Sequence, residues 1–133
     1  LFTEDVIEQR GEFFDFDPVR FEPKPIQRPH PPIHVGGESE AALRRAARVG
    51  DGWLGLHHTP ESVTRPVARL EALRRRYGRE HEPFEIIVGG ELGSREDRAR
   101  WEDAGVTRLY GRPWQRSREA LDDLRRYAER VLD

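Results

Sequence analysis

The sequence predicts an α/β fold of four strand–helix units, and three observations predict it. From Ile33 onward, short apolar runs alternate with longer segments whose apolar residues recur at helical spacing. Glycines punctuate the junctions, with Gly36-Gly37 and Gly89-Gly90 after apolar runs and Gly50, Gly78 and Gly105 after helical stripes. Five of the ten prolines, Pro23, Pro25, Pro29, Pro31 and Pro32, precede this region and hold the backbone extended. Strict alternation calls for parallel strands joined by right-handed crossovers, with helices packed outside. A flat doubly wound sheet and a barrel both satisfy it. A closed eight-stranded barrel takes ~250 residues, so a chain of 133 would supply about half of one.

Taken in order, Thr3 to Arg10 reads as the tail of a helix, with Val6 and Ile7 apolar, acids before them and Gly11 as terminator. Phe13, Phe14 and Phe16, a turn at Asp17-Pro18, and then Val19 to Phe21 read as two short strands of a surface excursion. Ile33-His34-Val35 is the first strand of the regular region. Ser39 to Val49 is a helix with Ala42, Leu43, Ala46, Ala47 and Val49 at apolar helical spacing. Trp53 to Leu56 is the second strand, and Thr59-Pro60 opens the next helix with a cap residue and proline at its first position. Val63, Val67, Leu70, Leu73 and Tyr77 form its buried stripe. Pro66 interrupts that stripe, so the helix either kinks there or begins near Thr64. Phe84 to Val88 is a β-branched strand. Ser94 to Asp97 is a capping box opening a helix to Ala104. Val106 to Tyr110 is a fourth strand, and Ser117 to Leu132 a final helix with Leu121, Leu124, Ala128 and Val131 on one face. Residues 1–133 thus read as a single partial domain, with 1–32 an excursion and 33–133 the four units.

Composition narrows the function. Basic residues number 23 and acidic 25, a balance that excludes a sequence-independent nucleic-acid binder. No apolar run approaches the ~18 residues of a membrane span and no signal-peptide pattern opens the chain, which predicts a cytoplasmic protein with no membrane partner. Zero cysteines exclude disulfides and thiolate chemistry. The five histidines show no ligand spacing on one element, so no metal site is expected. The sequence holds no methionine, so Leu1 is not an intact translational start and the chain reads as processed or cut from something longer.

The run Gly11-Glu12-Phe13-Phe14-Asp15-Phe16, Phe21-Glu22-Pro23-Lys24-Pro25-Ile26-Gln27 and Pro31-Pro32-Ile33-His34-Val35-Gly36-Gly37 resembles the bacterial-luciferase-like monooxygenase family. It is most similar to that family's branch dependent on the deazaflavin coenzyme F420. Ser39 to Arg48 and Gly50 to Leu54 continue the similarity in register. His34 stands where the family often has a large aromatic, and His57-His58 replaces a less polar stretch. The resemblance implies the C-terminal half of a TIM-type (β/α)8 barrel, acting as a flavin- or deazaflavin-dependent oxidoreductase by hydride transfer or monooxygenation. It implies F420 as cofactor, with FMN the alternative, bound at the carboxyl ends of the strands. The rival reading is a non-catalytic half-barrel that binds an anion or only self-associates. Either way, a half-barrel leaves two strand edges and an apolar inner face open, which predicts self-association or pairing with a missing N-terminal half-barrel.

The expected phosphate site is Val35, Gly36, Gly37 and Ser39. Glycines there let the backbone approach an oxyanion, and the following helix offers unpaired N–H groups and the positive end of its dipole. Glu38 and Glu40 oppose this, because two carboxylates in the turn repel a phosphate unless they point to solvent. The alternative is a plain strand-to-helix turn. His57 and His58, after the second strand, stand where one of them would steer an anion or donate a proton, or are simply solvated. Arg112, after the fourth strand, pairs with a phosphate or carboxylate, or is a solvated charge. Phe13, Phe14, Phe16 and Phe21 clamp a substrate at the barrel mouth or pack on its outside. Asp51 and Trp53 read as structural.

Overall fold

A computed structural model describes residues 2–131, and the chain divides into two compact units, 1–32 and 33–133. In the first unit, β1 (Ile7–Gln9) pairs antiparallel with β2 (Phe16–Val19) through a bulged register. The segment expected to be a helix tail is therefore a strand. A short stretch with one half-buried apolar residue, Ile7, gains more from pairing with β2 than from a helical turn with no buried face. One strand, β2, also replaces the two expected, running through Asp17-Pro18 where a turn was read. Proline is tolerated on the edge of a two-stranded ribbon. Arg10 bridges Asp15 at 2.6 Å and Asp17 at 2.7 Å across the hairpin loop, while Phe13 and Phe14 are exposed. Phe2 and Phe21 meet edge to face.

The second unit follows the alternation: β3 (His34–Gly36), α1 (Glu40–Val49), β4 (Gly52–His57), α2 (Pro60–Arg76), β5 (Glu85–Gly89), α3 (Arg95–Asp103), β6 (Arg108–Tyr110), a 3-10 turn at Ser117–Glu119 and α4 (Ala120–Val131). The four strands are parallel and lie in the order β3-β4-β5-β6. Each strand sits beside its predecessor without the reversal of a doubly wound sheet, so right-handed crossovers carry successive helices to one face. This is the winding of a TIM-type barrel, and the fold is a partial one.

Side-chain alternation divides the sheet cleanly. Val35, Trp53, Ile86, Val88 and Leu109 face the helices, where they meet Leu43, Ala46 and Ala47 of α1, Val63, Val67, Leu70 and Leu73 of α2, and Trp101 of α3. His34, Gly36, Gly52, Leu54, Glu85, Ile87, Arg108 and Tyr110 occupy the alternate positions and form the inner face. Asp51 ties the amino-terminal ends of three strands: its carboxylate accepts from Ile33 N–H at 2.8 Å, its N–H donates to Ile33 O, and its carbonyl accepts from Glu85 N–H at 3.0 Å.

In the helices, the structure decides between the two readings of the α2 start and departs from the reading of α4. α2 begins at Pro60, not near Thr64, because Thr59 and Ser62 form a reciprocal capping box that satisfies the first-turn amides. Its stripe continues past Pro66, which is half-buried. The face expected to bury α4 is largely open, with Leu121 at 61% exposure and Leu124 at 47%, whereas Val131 is buried. A helix of this winding rests partly on its own strand and partly on the next. β6 is an edge strand among the described residues, so that half of the α4 stripe has nothing beneath it. Leu132, the expected last residue of the helix, lies outside the described residues.

This burial pattern predicts a contrast. Trp53→Ala, at a side chain with 0% exposure, should lower the unfolding free energy by about 3–5 kcal/mol. Leu121→Ala should change it by less than about 0.5 kcal/mol. Urea denaturation at neutral pH followed by far-UV circular dichroism reads both; equal losses would place Leu121 in a core.

Candidate functional site

Four strand ends meet on one rim, where Gly36-Gly37, His57-His58, Gly89-Gly90 and Tyr110-Gly111-Arg112 follow one another around the sheet. A cavity of about 710 Å³ opens on this rim, lined among others by His57, His58, Gly90, Tyr110, Arg112 and Trp114. The carboxyl ends of parallel strands are the catalytic side of barrel folds, since side chains from successive loops converge there.

The turn after β3 is held from several sides. Gly37 has φ +118°, a conformation open to glycine and strained for other residues. Its N–H donates to Leu54 O at 3.3 Å and its carbonyl accepts from the indole Nε1–H of Trp53 at 2.8 Å. Ser39 caps α1, its Oγ accepting from Ala42 N–H at 3.2 Å. The N–H of Gly37 and the hydroxyl of Ser39 are thus engaged by the protein itself. The N–H groups of Glu40 and Ala41, first in the helix, have no intrahelical acceptor. Val35 points into the core and contributes backbone only.

The two carboxylates of this turn both have partners. Glu38 accepts from Leu56 N–H at 2.8 Å, completing β4 where β3 has turned away, and its other oxygen lies 3.2 Å from His58 Nε2. His58 Nδ1 lies 3.1 Å from Ser62 Oγ in the α2 capping box, and the imidazole meets Trp53 edge to face. Glu40 receives hydrogen bonds from Arg69 of α2 and from Arg44, one helical turn on. The Arg69 hydrogen bonds, with Arg44 adding to them, pull the Glu40 carboxyl down to about 2.

Of the candidates beyond the turn, His58 is therefore fixed in place, whereas His57 is exposed on the cavity. Arg112 is exposed on the same cavity and pairs with no carboxylate among the described residues. Phe13, Phe14, Phe16 and Phe21 belong to the other unit. Sequence reasoning missed Tyr110, whose phenol donates to Gly55 O at 3.2 Å, and the partnering of Glu38 with His58. Neither has a local signature, because each contact joins different strands or loops. Deeper on the inner face, His34 lies over Gly52 with Nε2 2.8 Å from a Glu85 oxygen, though out of line for a hydrogen bond. Arg108 donates to the other Glu85 oxygen at 2.9 Å. Among the described residues no group of acids and histidines could hold a metal ion, and no helix is long and apolar enough to cross a membrane.

Parallel strands wound in sequence, with a polar rim at their carboxyl ends, define a partial α/β barrel of the kind that enzymes build on. The chain belongs to the luciferase-like monooxygenase family, whose description matches residues 1–131. It is 44% identical over 108 residues to an uncharacterised protein of Mycobacterium tuberculosis, covering 80% of this chain and 36% of that protein. It is 36% identical over 72 residues to the FMNH2-dependent dimethylsulfone monooxygenase of Pseudomonas putida, covering 54% of this chain and 20% of the enzyme. The coenzyme F420-dependent tetrahydromethanopterin reductase of Methanopyrus kandleri shares the fold with a TM-score of 0.70 at 12% identity, over 94% of this chain and 57% of that one. The chain thus spans about a third of the length of the mycobacterial relative, 36%.

The Glu40 pairing has a pH signature. A carboxyl lowered on folding stabilises the folded state above its unfolded value of 4.5, and the contribution is lost as pH falls toward about 2. Glu40→Gln should therefore be less stable than the parent protein at pH 6, and the gap should close between pH 4.5 and 2. Urea midpoints across that range measure it, and a gap independent of pH would mean that Glu40 is not ion-paired.

Proposed function

We propose that this chain is the C-terminal half of a luciferase-like oxidoreductase barrel and that its rim binds the anionic part of a flavin or deazaflavin coenzyme. The observation that carries the reading is the partnering of the two turn carboxylates. Glu38 is held by Leu56 N–H and His58, and Glu40 by Arg44 and Arg69, so both carboxylates are oriented by the protein and the charge of Glu40 is offset by the two arginines. The start of α1 then keeps the character of an anion site. Within it, the roles divide. Val35, Gly36 and Gly37 shape the turn, and Ser39 orients the helix. The N–H groups of Glu40 and Ala41 donate to the phosphate. Arg112 adds positive charge at the cavity, and His57 offers an imidazole there.

F420 is the first assignment and FMN the second. The fold shared with an F420-dependent reductase and the sequence shared with an FMNH2-dependent monooxygenase support one each. When bound in its reduced form, either coenzyme would supply a hydride, and reduced FMN would also supply the electrons for oxygen activation. The protein's own part is to hold the coenzyme's charged end, orient its ring over the strand ends and limit access of water. The outer edges of β3 and β6, unpaired among the described residues, support pairing with a complementary half-barrel or a second copy.

Fluorescence titration of F420 and FMN tests the proposal, with the chain alone and mixed with an amino-terminal half of the mycobacterial relative. Saturable binding is expected, strengthened by the added half. Arg112→Glu should weaken it about tenfold or more, the scale of one lost charge-assisted hydrogen bond. If neither coenzyme binds in either mixture, the non-catalytic half-barrel is the correct reading.

A further inference from the structure

We propose that Tyr110 is the ring platform of the rim, a fixed aromatic face against which a planar conjugated ring stacks. The inference rests on the coenzyme reading above and names the contact for the ring, which that reading leaves without one.

Tyr110 is the last residue of β6, in register with Gly89 of β5, which is in turn in register with His57 of β4. Its neighbour Leu109 packs into the core, so the Tyr110 side chain falls on the inner face. There it lies down across the sheet. A Cβ placed on Gly89 would stand 3.0 Å from both Cζ and Oη of Tyr110 and 2.7 Å from Leu56 O, so a glycine is required beneath the ring. Two strands from its own backbone, the phenol donates to the carbonyl of Gly55 at 3.2 Å. That carbonyl lies at the register shift between Gly55 and His57, where the β4–β5 ladder is locally interrupted.

The side chain is thus anchored at both ends, by its strand and by its hydroxyl. Even so, Tyr110 remains 43% exposed, and it lines the rim cavity together with Trp114, His57 and Arg112. A pinned and partly exposed aromatic side chain, beside a second aromatic, an imidazole and the guanidinium of Arg112, matches a planar conjugated ring. Because its ordering is already complete in the free protein, stacking on it costs little further side-chain entropy.

The test uses lumiflavin, the flavin ring without ribityl chain or phosphate, alongside FMN and F420, each titrated by fluorescence quenching. The parent protein should bind lumiflavin saturably, and Tyr110→Phe should bind within about twofold of it. Tyr110→Leu, which keeps apolar bulk and loses the aromatic face, should bind roughly threefold to tenfold more weakly. Gly89→Ala, which lifts the ring without changing Tyr110, should weaken binding similarly. Far-UV circular dichroism and urea midpoints confirm that each variant is folded; should Tyr110→Leu fail to fold, Gly89→Ala and Tyr110→Phe carry the comparison. Unaltered lumiflavin affinity in Tyr110→Leu or Gly89→Ala, or no lumiflavin binding by the parent, overturns the platform. Lumiflavin binding that follows Tyr110 while FMN and F420 bind no tighter overturns the phosphate site instead and leaves the platform standing.

Discussion

The hydrogen bond from the Trp53 indole to the Gly37 carbonyl is the constraint on which the rest of this structure depends. Trp53 is fully buried between the sheet and its helices, yet it reaches the turn after the neighbouring strand. Its ring lies so close to Gly55 that a Cβ there would stand 2.5 Å from it, and its edge meets His58. One side chain therefore couples the core to the turn, to the bulged end of β4 and to the loop that opens α2. The rim geometry follows from how well the core packs. A donor left inside that core without its acceptor would cost on the order of 1–3 kcal/mol, which holds the Gly37 carbonyl in place.

A second regularity concerns the inner face, where glycines act as crossing points. His34 reaches Glu85 over Gly52, and Tyr110 reaches Gly55 over Gly89. In each case a long side chain passes over a strand position without a Cβ and meets a polar group two strands away. The two crossings stand at opposite ends of the sheet. The one at the amino-terminal end sets His34, Glu85 and Arg108 in a polar row on the inner face, and the one at the carboxyl end leaves an aromatic side chain open to the rim.

The rim also shows how acidic residues can sit at the amino-terminal end of a helix with their carboxylates held by the protein. Glu38 substitutes for a missing strand neighbour by accepting from Leu56 N–H, and Glu40 is drawn across to α2 by Arg69. Both carboxylates stabilise the loop and helix arrangement, and the charge of Glu40 is offset by Arg44 and Arg69 in the same contacts. The arginine richness of the chain has this local use at Arg44 and Arg69, whereas many other arginines form exposed pairs one helical turn apart, worth little each.

What the sequence by itself determined were the elements whose signals are local. The four strand–helix alternations, the Ser39, Thr59 and Ser94 caps, and the core stripe of α2 are written in residues three or four apart, and their hydrogen bonds close over the same distance. The family was legible as well, because its motif runs through consecutive residues. Tertiary structure alone decided the rest. Pairing with β2 made a strand of Ile7–Gln9, and the place of β6 at the sheet edge left Leu121 and Leu124 exposed. Sequential strand order selected a barrel winding over a doubly wound sheet. The contacts Glu38–His58, Glu40–Arg69 and Tyr110–Gly55 join residues 20 to 55 positions apart. Such contacts exist only once the crossovers have set the strands side by side, and no periodicity in the chain encodes them.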